Sequence, residues 1–158
     1  MSSSVATHAQ AEISRWVGFE LASQAFALRI GCVREVVPLA SFEPVPGAPA
    51  FVLGVSALRG RILPVIDLHG RLQIDPINPD NKNVNCLIVV DVAGESMALR
   101  VDRIGQLYAF ERERIKPPPM VAVPGTDGAV SGMVVFEDSM LSLLDVNALV
   151  DPIGPVMQ

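Results

Sequence analysis

Asp67 and His69 are the side chains in this sequence best spaced for catalysis. They lie two residues apart in a strand-like stretch and so share a face, as a carboxylate–imidazole pair for general acid–base work would. Such a pair needs a nucleophile to serve. The nearest serine lies in Gly54-Val55-Ser56-Ala57-Leu58, which lacks the closing glycine of a Gly-x-Ser-x-Gly elbow. A hydrolase built on Asp67 and His69 therefore stands only as an alternative to reading His69 as a surface histidine. The other histidine, His8, falls in the small, polar N-terminal stretch. Cys32 and Cys86 are 54 positions apart, each inside an apolar pattern. With no CxxC and no HExxH they suggest neither a metal set nor a disulfide scaffold, and are read as free, buried thiols. No glycine-rich phosphate loop is present. The sequence predicts no catalytic residue, no metal and no cofactor.

The remaining chemistry is cationic. Arg59-Gly60-Arg61 separates two apolar runs, and Gly60 can take the positive φ of a tight hairpin turn at no steric cost. Unpaired guanidinium groups cannot be buried, so both arginines are expected at a solvent-facing tip. Behind the tip, Ile62, Leu63, Val65, Ile66 and Leu68 read as a strand covered on both faces. Glu111-Arg112-Glu113-Arg114 alternates in sign and reads as a solvated segment.

Half of the 158 residues are hydrophobic and 18% are charged, enough for a sizeable core. Valine and isoleucine abundance and 13 prolines favour short strands with frequent turns over a helical bundle. The net charge of −5 lies wholly in residues 80–158. An acidic chain with few aromatic residues lacks the basic groove and stacking platform that a nucleic-acid-binding tandem barrel would need, so that alternative is disfavoured. No apolar run is long enough to span a membrane, and the N-terminus lacks a signal-peptide pattern. The expectation is a cytoplasmic protein with no direct membrane insertion.

In order, residues 1–14 read as a flexible tail. Trp16–Leu21 and Phe26–Ile30 read as strands about a turn at 22–25, and the proline-rich residues 41–50 as a connection. The pair flanking Arg59-Gly60-Arg61 follows, then a polar loop at 75–85. Strands at 86–92 and 97–101 flank a turn at 93–96. A last hairpin turns over Glu137-Asp138-Ser139, and Asp145 caps a short helix that Pro152 and Gly154 end.

The halves repeat. Ala27-Leu28-Arg29-Ile30, Val33 and Val36 match Ala98-Leu99-Arg100-Val101, Ile104 and Leu107 at an offset of 71. Val45-Pro46-Gly47, Val52, Gly54, Leu63, Asp67 and Leu68 match residues 78 positions later. Seven extra residues must lie between Leu107 and Val123. Two similar small barrels with a groove between them are expected, in one domain over 15–158. Its subdomains fall at about 15–75, with the C-terminal segment, and 84–150. Arg29, Arg100, Asp67 and Asp145 recur and read as scaffold. Arg59-Gly60 does not recur; Glu137-Asp138 stand in its place.

Val33-Arg34-Glu35-Val36, the stretch from Gly54 to Leu68 and the apolar register of 86–107 together resemble the CheW family of chemotaxis coupling proteins. The resemblance covers roughly residues 16–150. Its departures are Ala57, where the family commonly has asparagine, and His69, where a basic residue, often arginine, is usual. It implies an all-β fold of two SH3-like five-stranded barrels with short helical segments, and no catalysis. It implies an adaptor between the cytoplasmic domain of methyl-accepting chemoreceptors and the regulatory domain of a histidine kinase, and it allows adaptor rings. By the same resemblance, Glu35, Arg59, Val33, Gly60 and Ile104 would bind receptor, and Gly54, Val55 and Arg61 would bind kinase.

Overall fold

A computed structural model describes residues 12–38, 41–75, 86–118 and 128–150. Ten strands make up most of it: β1 (Ile13–Leu21), β2 (Gln24–Arg29), β3 (Val33–Pro38), β4 (Val52–Leu58), β5 (Arg61–Asp67), β6 (Cys86–Val92), β7 (Glu95–Val101), β8 (Arg103–Glu111), β9 (Val130–Phe136) and β10 (Ser139–Leu144). Two five-residue helices, α1 (Leu68–Leu72) and α2 (Val146–Val150), follow β5 and β10. Residues 1–11 of the expected tail, 76–85 of the polar loop, and Pro152 and Gly154 lie outside the described residues. Ile13 and Ser14 do not belong to a tail: they open β1, and buried Ser14 accepts a hydrogen bond from the Trp16 indole at 2.9 Å.

The four hairpins close over two residues each, not three or four. Ala22-Ser23, Arg59-Gly60, Ala93-Gly94 and Glu137-Asp138 all have positive φ at both positions. That geometry matches the right-handed twist of the flanking strands, which is why the adjoining residues join the strands instead of lengthening the turns.

The strands form two five-stranded sheets, ordered β8-β1-β2-β10-β9 and β3-β6-β7-β5-β4. Each is an SH3-like barrel, and each takes strands from both halves of the sequence. A boundary between residues 75 and 84 therefore does not divide the barrels. After β2 the chain leaves the first sheet through a 3-10 turn at Ile30–Cys32, and after β7 it leaves the second through Asp102 alone. Each half thus contributes its first two strands to one barrel and its last three to the other.

The consequence for packing is a core shared by both barrels. Phe19, Leu21, Phe26 and Leu28 of the first sheet pack with Ile66, Ile88, Leu99 and Val101 of the second in one buried cluster. Smaller clusters around Trp16 and Phe110, and around Val65, Leu87 and Ala98, fill the individual barrels. The interior of the junction is packed side chain to side chain.

The internal repeat is visible atom by atom. Asp67 N–H donates to Phe51 O at 2.8 Å, and Asp145 N–H donates to Ala129 O at 2.7 Å. Asp67 accepts from His69 N–H and Asp145 from Asn147 N–H, so both aspartates cap a short helix. Leu68 accordingly starts α1 and does not extend β5. The bridge Glu43–Val55 recurs as Lys116–Met133. Of the seven extra residues, two therefore precede Lys116 and five follow it.

Arg71 breaks the symmetry. It is buried on α1, lies 6.0 Å from the centroid of the Phe51 ring, and donates to Leu149 O at 2.8 Å and Ala148 O at 2.9 Å. These are carbonyls of the last turn of α2, which has no internal partners for them. Arg71→Ala should lower unfolding free energy by about 2 kcal/mol or more in urea titration, because charge-assisted bonds are lost and carbonyls are left buried. Arg71→Lys should restore only part of it, lacking the planar fork.

Candidate functional site

The polar feature that the sequence placed at a hairpin tip is an ion pair. Arg59 Nε lies 3.0 and 3.1 Å from the two carboxylate oxygens of Glu35, and Arg59 Nη2 lies 2.9 Å from Oε1. The turn that holds Arg59 requires positive φ, and Gly60 supplies the second such residue at +76°. Glu35 sits on β3 just after an irregularity in its pairing with β6 between Val33 and Glu35. β3 and β4 are the two edges of the same sheet. The pair therefore joins the two edges of one barrel on its outer surface.

Its electrostatics follow from the geometry. The hydrogen bond from Arg59, and then its charge, hold the Glu35 carboxyl below the usual glutamate range; the same bond raises Arg59. Glu35 is half-buried while Arg59 is largely exposed. The carboxylate thus fixes the arginine in place, and the remaining guanidinium N–H groups stay available to an outside acceptor. One residue earlier, Arg34 reaches Asp91 on β6 at 3.2 Å. Asp91 is held low first by its hydrogen bond from Ser96 and further by Arg34.

The other expected site residues are less uniform. Gly60 and Arg61 share the exposed tip with Arg59, so residues assigned to receptor and to kinase occupy one turn. Beside them Ile62, expected to be buried, is 62% exposed, because only Leu63–Ile66 of β5 lie under cover. Val33 and Ile104, equivalent in the repeat, are both half-buried and pack against the shared core, on different sheets. Val55 is half-buried and tied to Glu43 by backbone hydrogen bonds in both directions, each 2.8 Å. Gly54 is buried, and a Cβ there would run into the Glu43 carbonyl. Its equivalent, Gly132, meets Ile115 and the Lys116 carbonyl in the same way. At Gly54 a side chain is excluded by the backbone that crosses it.

His69 corrects two expectations. It is 7% exposed, not a surface residue, and its ring does not face Asp67. Nε2 lies 2.8 and 2.9 Å from the carboxylate oxygens of Asp102, and Nδ1 lies 3.0 Å from Ile74 O. Asp67 is occupied by the His69 backbone N–H and by Arg100. With both ring nitrogens engaged, no dyad is formed. Asp102 also accepts from Ala22 N–H at 2.8 Å, which pins the single-residue crossing between the sheets. Sequence reading missed this crossing and the buried Arg71; an arginine between Leu68 and Leu72 was the only available signal for the latter. Both cysteines are free and half-buried, and burial pushes the Cys32 thiol up.

Among the described residues no group of three or more His, Cys, Asp or Glu could hold a metal ion, and no helix is long and apolar enough to cross a membrane. Two openings lie at barrel edges. One of about 350 Å³ runs between β3 and β4, lined by Val37, Pro38, Ser56, Ala57, Leu58 and Leu63 among others. One of about 770 Å³ lies beside β9 and β10, lined by Arg114, Lys116, Pro117, Met133, Val135 and Met140 among others.

Two interlocked SH3-like barrels, with a paired arginine at a hairpin tip, define an interaction module. Comparison with known proteins is specific: residues 15–153 match the CheW-like domain, and the chain belongs to the CheW family of non-catalytic chemotaxis scaffolding proteins. It is similar to a probable chemotaxis protein CheW of Rhizobium etli, with 31% identity over 84% of each chain. It is also similar to the protein PilI of Pseudomonas aeruginosa, with 33% identity over 72% of this chain and 65% of the relative. Its fold superposes on the scaffolding protein TtCheW of Thermoanaerobacter tengcongensis with a TM-score of 0.79, at 31% identity over 90% of each chain.

Carboxyl-detected NMR titration should show Glu35 ionising below the usual glutamate range, with Arg59→Ala returning it upward. Any stability the pair contributes is present above the unfolded-state pKa and is lost as pH falls through the lower folded value. Gly54→Ala should cost about 1–3 kcal/mol in denaturant unfolding through forced displacement of the Glu43 segment; an unchanged midpoint would contradict the close approach of the Glu43 backbone to Gly54.

Proposed function

We propose that this chain is an adaptor that couples the cytoplasmic domain of methyl-accepting chemoreceptors to the regulatory domain of a histidine kinase, working in the cytoplasm. The observation that carries the reading is the Glu35–Arg59 pair on an exposed tip that the duplicate half lacks. Where two halves share a scaffold, a feature found in one alone is free to serve a partner. Family membership supplies the setting of a chemotaxis scaffold.

In this reading Glu35 holds Arg59 ready, and Arg59 addresses acceptors on the receptor cytoplasmic domain. An exposed charge of this kind sets orientation and partner choice more than raw affinity. Val33, Gly60 and Ile104 complete the receptor surface. Arg61 and Val55 serve the kinase regulatory domain, while Gly54 acts through the backbone approach it permits, keeping β4 in place for Val55. Exposed Ile62 adds apolar area beside Arg61.

Titration calorimetry of the chain against a receptor cytoplasmic fragment and a kinase regulatory domain tests this. Arg59→Asp should weaken receptor binding tenfold or more while kinase binding stays within a few-fold, and Arg59→Glu combined with Glu35→Arg should recover part of the loss. Unchanged receptor binding by Arg59→Asp would remove the role given to the tip. Absence of binding to both partners by the wild-type chain would overturn the proposal as a whole.

A further inference from the structure

Every ladder other than the four hairpins runs between the two halves of the chain: β1 with β8, β2 with β10, β3 with β6, and β5 with β7. Within the first half the strand pairings are only the hairpins β1–β2 and β4–β5, and β3 has no strand partner of its own. The second half is the same, with β6–β7, β9–β10 and an unpartnered β8. An isolated two-stranded hairpin is marginal in water. Neither half holds a sheet of three strands, and the largest buried cluster takes side chains from both.

Side chains repeat what the backbone shows. Of the five ion pairs among the described residues, four link the halves: Arg34–Asp91, His69–Asp102, Arg100–Asp67 and Arg112–Glu12. Buried Arg71 of the first half caps α2 of the second. The exception is Glu35–Arg59, which lies wholly within the first half. Each half is therefore a surface shaped for one partner, and that partner is present in every copy of the chain. The covalent tie between them is the segment from Asp75 to Cys86.

We infer that the halves exchange between copies: the first half of one molecule completes both barrels with the second half of another, and reciprocally. All four ladders and all four linking ion pairs are remade in the exchanged pair, so exchange breaks no pairing among the described residues. Tethering gives the single chain an effective concentration of order mM, so exchange is favoured by folding at high protein concentration. Because Glu35 and Arg59 travel together, an exchanged pair carries two intact tips and can hold two partners at once. This inference rests on topology and is independent of the adaptor reading.

The test uses the full-length chain with a specific protease site inserted between Asn81 and Lys82. After cleavage in the native state, the two pieces should co-elute at the volume of the intact chain with an unchanged far-UV circular dichroism spectrum. Nicked protein labelled with 15N, unfolded in guanidinium together with unlabelled nicked protein and refolded, should give hybrid species by native mass spectrometry. Intact chains carrying two different tags, refolded together at high concentration, should yield a complex of two chains holding both tags. Separation of the pieces on cleavage without denaturant would overturn the inference. So would failure of the mixed pieces to regain the strand signal that the intact chain regains, or refolding of the intact tagged chains only as monomers at every concentration.

Discussion

The parallel pairings of β2 with β10 and of β5 with β7 are the constraint on which the rest of this structure depends. Parallel strands cannot be joined by a tight turn; they need a long crossover. Between β2 and β10 the crossover is the whole of the other barrel; between β5 and β7 it passes through α1 and then β6 of their own sheet. The chain starts one barrel with β1 and β2, leaves to build all five strands of the second, and returns to finish the first. The shared core, the single-residue crossing at Asp102 and the burial of Arg71 against α2 follow from that route.

Within this frame the two halves diverge where the scaffold permits it. The helix caps Asp67 and Asp145 are held in common, as are the tight positions Gly54 and Gly132. The hairpin tips are not. Arg59-Gly60 and Glu137-Asp138 adopt the same turn with opposite charge. The backbone asks only for two residues at positive φ, so side-chain identity at a tip is set by what it meets outside. Glu35 turns one of those tips into an oriented arginine.

Much of this was legible in the chain itself. Strands on either side of each turn, the repeat, the cap at Asp145 and the exposed charged tip all follow from local patterns, though the turns are shorter than the pattern suggested. Errors came where burial depends on what crosses from elsewhere. His69 read as a surface residue because nothing near it in sequence shows that Asp102, 33 positions on, fills its ring nitrogens. Arg71 gave no sign of its partners, which lie 77 and 78 positions away. Ile62 looked buried because its neighbours are apolar, yet the strand projects beyond the sheet that covers it. Gly54, read through resemblance as a binding residue, is also a point where a second backbone passes too close for any side chain.

The sequence by itself determined the strand-rich class, most hairpin positions, the duplication and the residue types at the candidate site, because each is written in short-range periodicity, turn chemistry and offset. Only the tertiary structure decided which half supplies which strand to each barrel. A repeat of five similar strands satisfies its hydrogen bonds equally well within one half or across two, so periodicity cannot distinguish those arrangements. Long-range side-chain pairs, above all Arg100–Asp67, His69–Asp102 and Arg71 with α2, are satisfied together only in the interlocked form seen here.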